Sequence, residues 1–376
     1  MPTTTSLRTT PFHDFHTSHG AKLVDYTGWE MPLHFGSIID EHVQTRSSGG
    51  MFDVSHMGRI RFKGRDACRM MDRACSRRIH GMAPGQVRYG LICNERGGCR
   101  DDVLIYCIDQ SEYLMVCNAA NREKLLTHFE QIRGDLVYKM KDETESTAMV
   151  AIQGPRVMDL INQFSSEIPT LKRYRFVSKS ILIAKVLVSR TGYTGEDGVE
   201  AILPKAIAGK MVGMMLGNVD DADTPVKPCG LGARDSLRLE AGMCLYGHEI
   251  TEDIDPLTAC LDFAVKLDKG EGDCPAERFI GQDALQAIAH AGGPPRMLTG
   301  LLLEGRRAAR QGHRVLHQGV EVGTVTSGCL SPTLDQSIAM AITDRETREP
   351  GTRVEVDLGR TAVTATVCAL PFYKAS

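Results

Sequence analysis

Apolar residues recur along the chain at helical spacing in two segments. The two sets are Leu125, Leu126, Phe129 and Ile132, and Val157, Leu160, Ile161 and Phe164. Each set follows the i, i+3, i+4, i+7 or closely related spacing that gathers apolar side chains on one helix face. Gly134 is a plausible stop for the first helix, and Pro155 suits the first position of the second. We therefore predict two amphipathic helices.

Short apolar runs separate these helical segments and indicate strands. The runs are residues 103–106, 113–116 and 181–183. The polar stretch at residues 109–112 is the expected turn between the first two runs, which makes them hairpin partners. Alternating helices and hairpins predict an α+β fold with mixed, largely antiparallel sheets.

The pattern changes near Arg296. A helix is expected from Asp283 to His290, followed by a Gly-Gly-Pro-Pro break and then glycine-punctuated β segments. These segments include residues 298–303, 322–326 and 361–367. We expect a separate C-terminal β-barrel or sandwich domain.

Length and charge limit the classes of protein to which the chain can belong. A chain of 376 residues is longer than one hydrophobic core usually serves. The formal net charge of −3 gives no broad basic surface for nucleic acid or an anionic membrane, and no apolar run is long enough to span a bilayer. The first residues lack the apolar core of a secretory signal, so we expect a cytoplasmic protein.

Cysteine and histidine spacing argues against a metal site. The 12 cysteines include no C-x-x-C or C-x-C pair, the usual source of two ligands from one turn. We expect reduced thiols that pack as small apolar residues. His13, His16 and His19 recur every third residue, and we interpret them as a solvated helix face.

A turn at residues 97–102 leads two acids into an apolar strand. Successive strand side chains point to opposite faces, so we expect one of Asp101 and Asp102 to face a cleft. The other should face solvent or cap the turn. Turn chemistry alone also accounts for the two acids, and the residues by themselves leave both interpretations open.

Two further segments have functional and structural interpretations. Residues 189–200 carry three glycines spaced by three around Tyr193, which suits either a ligand contact or a solvated glycine-rich hairpin. Residues 230–240 predict a helix on which Arg234 and Arg238 are four apart. Two guanidinium groups on one face can grip a carboxylate ligand or pair with the nearby acids.

Seven motifs in order resemble the T protein family of the glycine cleavage system, the aminomethyltransferases. They are GWEMPL at 28–33, GMFDVSHMG at 50–58, GGCRDD at 97–102, RTGYTGEDG at 190–198, GLGARDSLRLEAG at 230–242, TSGCLSPTL at 326–334 and PFY at 371–373. The resemblance extends from about Thr10 to Lys374.

The resemblance implies the reaction and its catalytic acid. Family members transfer the carbon of an aminomethyl group from the lipoyl arm of the H protein to tetrahydrofolate. The products are 5,10-methylenetetrahydrofolate, ammonia and dihydrolipoyl protein. The second Asp of the family's turn is catalytic and corresponds to Asp102. A carboxylate there can steer protonation of the pterin nitrogens and stabilise an iminium-like cation.

The resemblance also implies a folate site and a domain plan. The positions that match folate contacts are Met57, Tyr89, Asn118, Tyr193, Glu200, Arg234 and Tyr373. The family fold is a three-domain ring around a central folate channel. Its boundaries here would be residues 1–50 with about 140–265, about 51–139 carrying Asp102, and about 290–376 as the barrel.

Partners and alternatives follow from the same family. The lipoylated H protein is the direct partner, the P and L proteins of the complex are indirect ones, and no metal, nucleic acid or membrane is implied. The compartment is the bacterial-type cytoplasm, or the mitochondrial matrix if a transit peptide was removed. Rival functions are a folate-dependent demethylase of the same fold, a non-catalytic folate-binding protein of iron–sulfur assembly, and a folate domain detached from a larger dehydrogenase.

Three departures from the family pattern lie near the expected site. Cys99 and Arg100 replace two usually apolar residues, Phe263 stands where Trp is common, and Asp255 replaces a common Thr. Arg100 can lower the pKa values of the neighbouring acids or point into solvent. These changes bear on ligand affinity and leave the reaction class as it is.

Overall fold

The computed structural model describes residues 6–181, 184–216, 224–272 and 276–375. The chain divides into two compact units. Unit 1 is Met1–Ile60 with Asp142–Leu237, and unit 2 is Arg61–Lys141 with Arg238–Lys374. Among the described residues, no helix has the length and apolar character needed to cross a membrane.

The regular elements alternate between strand and helix through most of the chain. The strands are β1 (Arg8–Thr9), β2 (Lys22–Tyr26), β3 (Trp29–His34), β4 (Gly50–Asp53), β5 (Gly58–Lys63), β6 (Val87–Cys93), β7 (Cys99–Asp109), β8 (Glu112–Cys117), β9 (Lys139–Asp142), β10 (Thr147–Gln153), β11 (Phe176–Ile181), β12 (Ala184–Ser189), β13 (Gly198–Pro204), β14 (Lys227–Cys229), β15 (Arg296–Leu303), β16 (Arg314–His317), β17 (Val320–Ser331), β18 (Gln336–Asp344), β19 (Arg353–Asp357) and β20 (Ala362–Cys368). The α-helices are α1 (His13–Ser18), α2 (Ile38–Ser47), α3 (Ala67–Ala74), α4 (Arg122–Gln131), α5 (Val157–Asn162), α6 (Ala208–Leu216), α7 (Leu231–Glu240) and α8 (Gln282–His290).

Unit 1 is built on a six-stranded mixed sheet of order β11-β12-β13-β10-β4-β14. Strand β10 is antiparallel to both β13 and β4, whereas β14 is parallel to β4. Val157 and Ile161 of α5 are buried in the same apolar cluster as Val150 and Ile152 of β10. The predicted second helix is confirmed, although it begins two residues after Pro155 and ends at Asn162, so that Phe164 of the predicted apolar face lies beyond it and is exposed. Strand β11 ends at Ile181, and residues 182–183 lie outside the described residues.

The five-stranded sheet, of order β6-β7-β8-β5-β9, contains the predicted hairpin. Strands β7 and β8 are antiparallel, with Asp109 opposite Glu112 across the turn. Helix α4 buries Leu125 and Phe129, and Ile132 caps its end, as the apolar spacing predicted.

The C-terminal part of unit 2 is a closed barrel of order β15-β18-β17-β16-β19-β20. Strand β15 pairs with both β18 and β20, which closes the sheet on itself. Helix α8 precedes it and runs nearly as predicted. The α+β class and the separate β domain after Arg296 are confirmed, whereas the three-domain boundaries stay a prediction.

One expectation about the N-terminal histidines is wrong. His16 is buried on α1 and hydrogen-bonds Asp53, so this residue is part of the core of unit 1 rather than a solvated face. The expectation for cysteine fits better. Among the described residues, the cysteines are free thiols, and seven of them are buried. Cys274 lies outside the described residues.

Candidate functional site

Close packing leaves room only for glycine at the entry to β7. A Cβ added to Gly98 would lie 1.9 Å from the backbone oxygen of Glu252. The Asn94 side chain accepts from Gly98 N at 3.0 Å and donates to Glu252 O at 2.8 Å. Cys99 N donates to Thr251 O at 2.8 Å. The turn is thus held against residues 251–254. This contact fixes the point in the chain from which Asp101 and Asp102 follow.

One amide bridges the two acids. Asn118 Nδ2 lies 2.8 Å from Asp101 Oδ1 and 2.7 Å from Asp102 Oδ1. Asp101 also accepts from Asn118 N at 2.9 Å and from Asn121 Nδ2 at 2.6 Å. Asp102 accepts from Tyr89 Oη at 3.2 Å and is partly open to solvent.

This arrangement corrects the prediction that one of the two acids faces a cleft while the other faces solvent or caps the turn. Asp101 is fully buried and accepts three N–H donors. Strand alternation does send the two side chains to opposite sides of β7. Asn118, at the end of the neighbouring strand β8, lies where its amide reaches around to both.

Burial raises the pKa of both carboxyls. For Asp101 the charge of Asp102 raises the pKa further, while the amide donors of Asn118 and Asn121 lower it. For Asp102 the hydrogen bonds from Asn118 and Tyr89 oppose the effect of burial. Two carboxyls this close titrate as a pair, so the second proton leaves at a higher pH than an isolated Asp would show.

Tyr89, which donates to Asp102, is also part of an aromatic stack. The rings of Tyr89 and Phe263 are stacked with centroids 6.0 Å apart and an interplanar angle of 20°. Phe263 remains 60% exposed. An exposed aromatic face beside a carboxyl suits a flat heteroaromatic ligand that carries N–H groups. Arg100, by contrast, is directed to the acids Glu95 and Glu252.

In unit 1, Tyr193 and Arg234 form a second group. The Arg234 guanidinium carbon lies 4.9 Å from the Tyr193 ring centroid, within cation–π range. Arg234 Nη1 is buried and has no hydrogen-bond partner among the described residues. Glu200 is buried with Oε2 2.5 Å from Thr191 Oγ1, and burial raises its pKa while the charge of Arg234 lowers it. A free guanidinium donor stacked on an aromatic ring suits an anionic ligand group.

Met57 lies on the loop between β4 and β5, which a buried arginine holds. Arg59 Nη1 donates to Ser55 O at 2.8 Å and also to Met57 O. His56 on the same loop is buried, and burial, with smaller effects from Arg234 and Arg59, lowers its pKa to about 4. The imidazole beside Met57 is therefore neutral at physiological pH.

Tyr373 lies on the C-terminal segment, which is tied to the end of α7. Tyr373 N donates to Glu240 O at 2.8 Å. The Glu240 carboxylate is in turn buried at the end of β17, where it accepts from Ser331 Oγ and, in the turn that follows, from Thr333 Oγ1 at 2.8 Å. The backbone of Tyr373 is thus fixed to the end of α7, and its side chain is partly buried.

The predicted residues therefore fall into two groups by contact. Tyr89, Asn118 and Asp102 touch one another in unit 2, and Tyr193 lies against Arg234 in unit 1. Met57, Glu200 and Tyr373 are placed by the neighbours described above. Residues 190–197 connect the antiparallel strands β12 and β13, but the hairpin is not merely solvated, because Thr191 and Thr194 in it are buried.

Arg238 is not available to a ligand. Its Nη1 lies 3.0 Å from Glu249 Oε2, and Nη2 donates to Ser327 Oγ at 2.8 Å. Both members of the Arg238–Glu249 pair are closed to solvent. Of the two arginines that the helical spacing offered, only Arg234 keeps a buried donor unused.

Sequence reasoning missed Asn121 and the burial of Asp101. The signal was present: Asn118 and Asn121 follow directly on the buried strand β8, and polar side chains at a strand end are frequently functional. Their partner on β7 is apparent only from the strand pairing.

Two family models match the chain. The GCVT N-terminal domain matches residues 12–269, and the glycine cleavage T-protein C-terminal barrel domain matches residues 296–374. An aminomethyltransferase of Rubrobacter xylanophilus is 43% identical, with 98% of this chain and 95% of the relative covered. One from Cutibacterium acnes is 40% identical over 99% of this chain and 100% of the relative.

A solved structure shares the fold. The glycine cleavage system aminomethyltransferase T of Bartonella henselae has a TM-score of 0.89 and 31% sequence identity. The match covers 98% of this chain and 99% of that one. The predicted resemblance is thereby confirmed over nearly the whole length.

Proposed function

This chain belongs to the aminomethyltransferases, the T proteins of the glycine cleavage system, and we propose that Asp102 is its catalytic acid. The donor is the aminomethyl group on the lipoyl arm of the H protein, and the acceptor is tetrahydrofolate. The single observation that carries the assignment is the partly open Asp102 carboxyl, oriented by Tyr89 and Asn118 beside an exposed aromatic face.

The reaction requires proton movement that a carboxyl of raised pKa can supply. Two C–N bonds form, to N5 and N10 of the folate, while the C–S bond to the lipoyl arm and the C–N bond to the amine break. The protons that leave N5 and N10 end on the lipoyl sulfur and on the departing ammonia. Burial raises the pKa of Asp102 above its ordinary value, and a carboxyl of raised pKa is the better proton donor in general acid catalysis. Its ionised form can also stabilise an iminium-like carbon.

We assign folate binding to the residues that match the family pattern, and local contacts support this for Tyr89, Asn118 and Arg234. The matching residues are Met57, Tyr89, Asn118, Tyr193, Glu200, Arg234 and Tyr373. Arg234 is proposed for the glutamate end, because its buried Nη1 has a hydrogen bond to give. Tyr89 and Asn118 are proposed for the pterin end, because they touch Asp102.

The lipoylated H protein is the proposed partner, with the P and L proteins acting through it. Because the relatives described above are bacterial, we propose the cytoplasm as the compartment. The iron–sulfur assembly alternative carries a Lys-Gly-Cys-x-x-Gly-Gln-Glu type motif, of which residues 243–249 are only a loose echo, with no Lys-Gly before Cys244. Cys244 there is buried, and burial raises the pKa of its thiol well above the usual value.

The test uses purified protein, aminomethylated H protein and tetrahydrofolate, with ammonia and 5,10-methylenetetrahydrofolate measured together. Wild type should release both in equal amounts. Asp102→Asn should lower turnover by about 10²–10⁴-fold, the usual contribution of general acid–base catalysis, and still bind tetrahydrofolate. Asp109→Asn is the matched control, since Asp109 is the exposed last residue of the same strand.

Two results would contradict the proposal. Full turnover in Asp102→Asn would remove this residue from the mechanism. Methyl transfer without ammonia release would assign the chain to the demethylases instead.

A further inference from the structure

The two acids of β7 have different sets of hydrogen-bond donors. Asp101 accepts from Asn118 N, Asn118 Nδ2 and Asn121 Nδ2, so N–H donors point at both of its oxygens. A proton on Asp101 would displace one of these donors and leave a buried N–H without an acceptor. The geometry therefore favours the ionised form of Asp101, against burial and the charge of Asp102, which raise its pKa to about 8.

Asp102 accepts from one side-chain amide, from one hydroxyl and from its own backbone N–H. Asn118 Nδ2 donates to Oδ1 at 2.7 Å, while Oδ2 lies 3.2 Å from Tyr89 Oη. A phenolic oxygen can donate or accept, so Tyr89 can receive a hydrogen bond from a proton on Asp102. Asp102 can carry a proton without leaving a donor unsatisfied.

We infer that Asp101 is a positioning residue: held as a carboxylate by Asn118 and Asn121, it keeps a proton on Asp102 before the substrates react. Like charges on adjacent buried carboxyls repel, and the pair lowers its free energy by retaining one proton. The hydrogen bonds decide which carboxyl retains it. The inference rests on the proposed catalytic role of Asp102, and its consequence is that Asp102 enters the reaction as an acid.

Three other titratable groups near Asp101 and Asp102 are uncharged, and the nearby cations are paired with other acids. Tyr246, Cys99 and Cys244 sense one or other carboxylate, and the pKa of each is raised, so all three are neutral at physiological pH. Lys124 bonds Tyr246 Oη at 2.8 Å and Glu252 at 2.9 Å, and Arg100 is paired with Glu95 and Glu252. The cations of this region are thus matched by acids other than the pair.

The test reads the proton directly and needs no substrate. Protein labelled with [4-¹³C]aspartate is titrated by NMR, and the Asp102 signal is assigned by its loss in Asp102→Asn. In Asp101→Asn, Asp102 should ionise about one pH unit or more lower than in wild type, because the neighbouring charge is gone. The corresponding limb of the pH profile of kcat should move in the same direction. Asp109→Asn should leave both unchanged.

Asn121→Ala provides an independent second variant. It removes one donor from Asp101 and should shift Asp102 in the same direction by a smaller amount. Circular dichroism and Tm identify any variant that fails to fold, and Asn121→Ala decides the matter if Asp101→Asn does not fold. An Asp102 signal that ionises at the wild-type pH in the folded variants overturns the inference, as does a wild-type Asp101 signal that titrates as the protonated member.

Failure of this inference is distinguishable from failure of the proposed function. Wild type that releases no ammonia contradicts the function, whereas the NMR titration reports the proton in either case. Active wild type with an unmoved Asp102 titration contradicts only the role of Asp101.

Discussion

His16 Nε2 lies 2.9 Å from Asp53 Oδ2, and both side chains are closed to solvent. Asp53 also accepts from Thr10 Oγ1 at 2.6 Å and from Ser55 N at 2.8 Å. This buried carboxylate ties helix α1 to the end of β4, where the loop that carries Met57 begins. The N-terminal helix is thus joined to the proposed ligand loop by one side chain.

Asp53→Asn should destabilise the protein. The substitution weakens a buried acceptor of hydrogen bonds from Thr10, His16 and Ser55, and leaving a buried donor unsatisfied typically lowers the free energy of unfolding by about 1–3 kcal/mol. Urea unfolding followed by circular dichroism measures the change. Asp14→Asn is the matched control, because Asp14 on the same helix is fully exposed and a surface change should stay within about 0.5 kcal/mol. Equal stability of the two variants would show that the buried contact adds nothing.

The same pair predicts how stability depends on pH. Burial alone would raise the pKa of Asp53, but the hydrogen bond and charge of His16, with Thr10 and Ser55, hold it below the ordinary value of 3.8. A lowered folded-state pKa means that the contribution is present above that ordinary value and is lost as pH falls below it. Wild type should therefore lose more stability between about pH 4 and pH 2 than Asp53→Asn does. Parallel pH curves for the two proteins would contradict this.

Gly98→Ala should destabilise unit 2. The added Cβ would meet backbone at Glu252, which cannot move aside as a side chain can. Such overpacking typically lowers the free energy of unfolding by about 1–3 kcal/mol. Gly36→Ala is the control, since nothing lies within 4 Å of a Cβ added there. Urea unfolding of both variants gives the comparison, and a Gly98→Ala protein as stable as Gly36→Ala would mean that the turn is freer than the contact implies.

Arg234→Lys should weaken folate binding more than it slows turnover. Lysine keeps the positive charge but loses the planar group that stacks on Tyr193 and the directed Nη1 donor. We expect the Kd for tetrahydrofolate to rise about tenfold, equivalent to one charge-assisted hydrogen bond, with little change in kcat. Arg306→Lys, at an exposed ion pair with Asp335, is the control. An unchanged Kd in Arg234→Lys would remove Arg234 from the folate site.

The sequence predicts structure formed by residues that are close along the chain better than contacts between distant residues. The β7–β8 hairpin and helix α4 were predictable because their apolar spacing and turn residues are local. The fully buried state of Asp101 was not, because its donors Asn118 and Asn121 come 17 and 20 residues later. No periodicity in β7 indicates which side chain will reach it.

Two contacts outside the proposed site show the same limit. His16 and Asp53 are 37 residues apart, and spacing on α1 gave the wrong environment for His16. Arg238 lies four residues after Arg234 on the same helix, but it forms an ion pair with Glu249 on a later loop. The reaction class came from the order of long motifs, which resemble one family, rather than from any single pattern.

The order of strands in unit 1 has a consequence for synthesis on the ribosome. Strand β4 lies between β10 and β14, so both of its partners in the sheet are translated after it. From Asp53 to the start of β10 at Thr147 the ribosome must add most of a hundred residues, about 5–20 s at typical rates. During that interval the apolar segment at residues 50–54 has no sheet to join. A chaperone that binds short apolar segments should therefore bind the nascent chain at these residues and dissociate once β10 emerges.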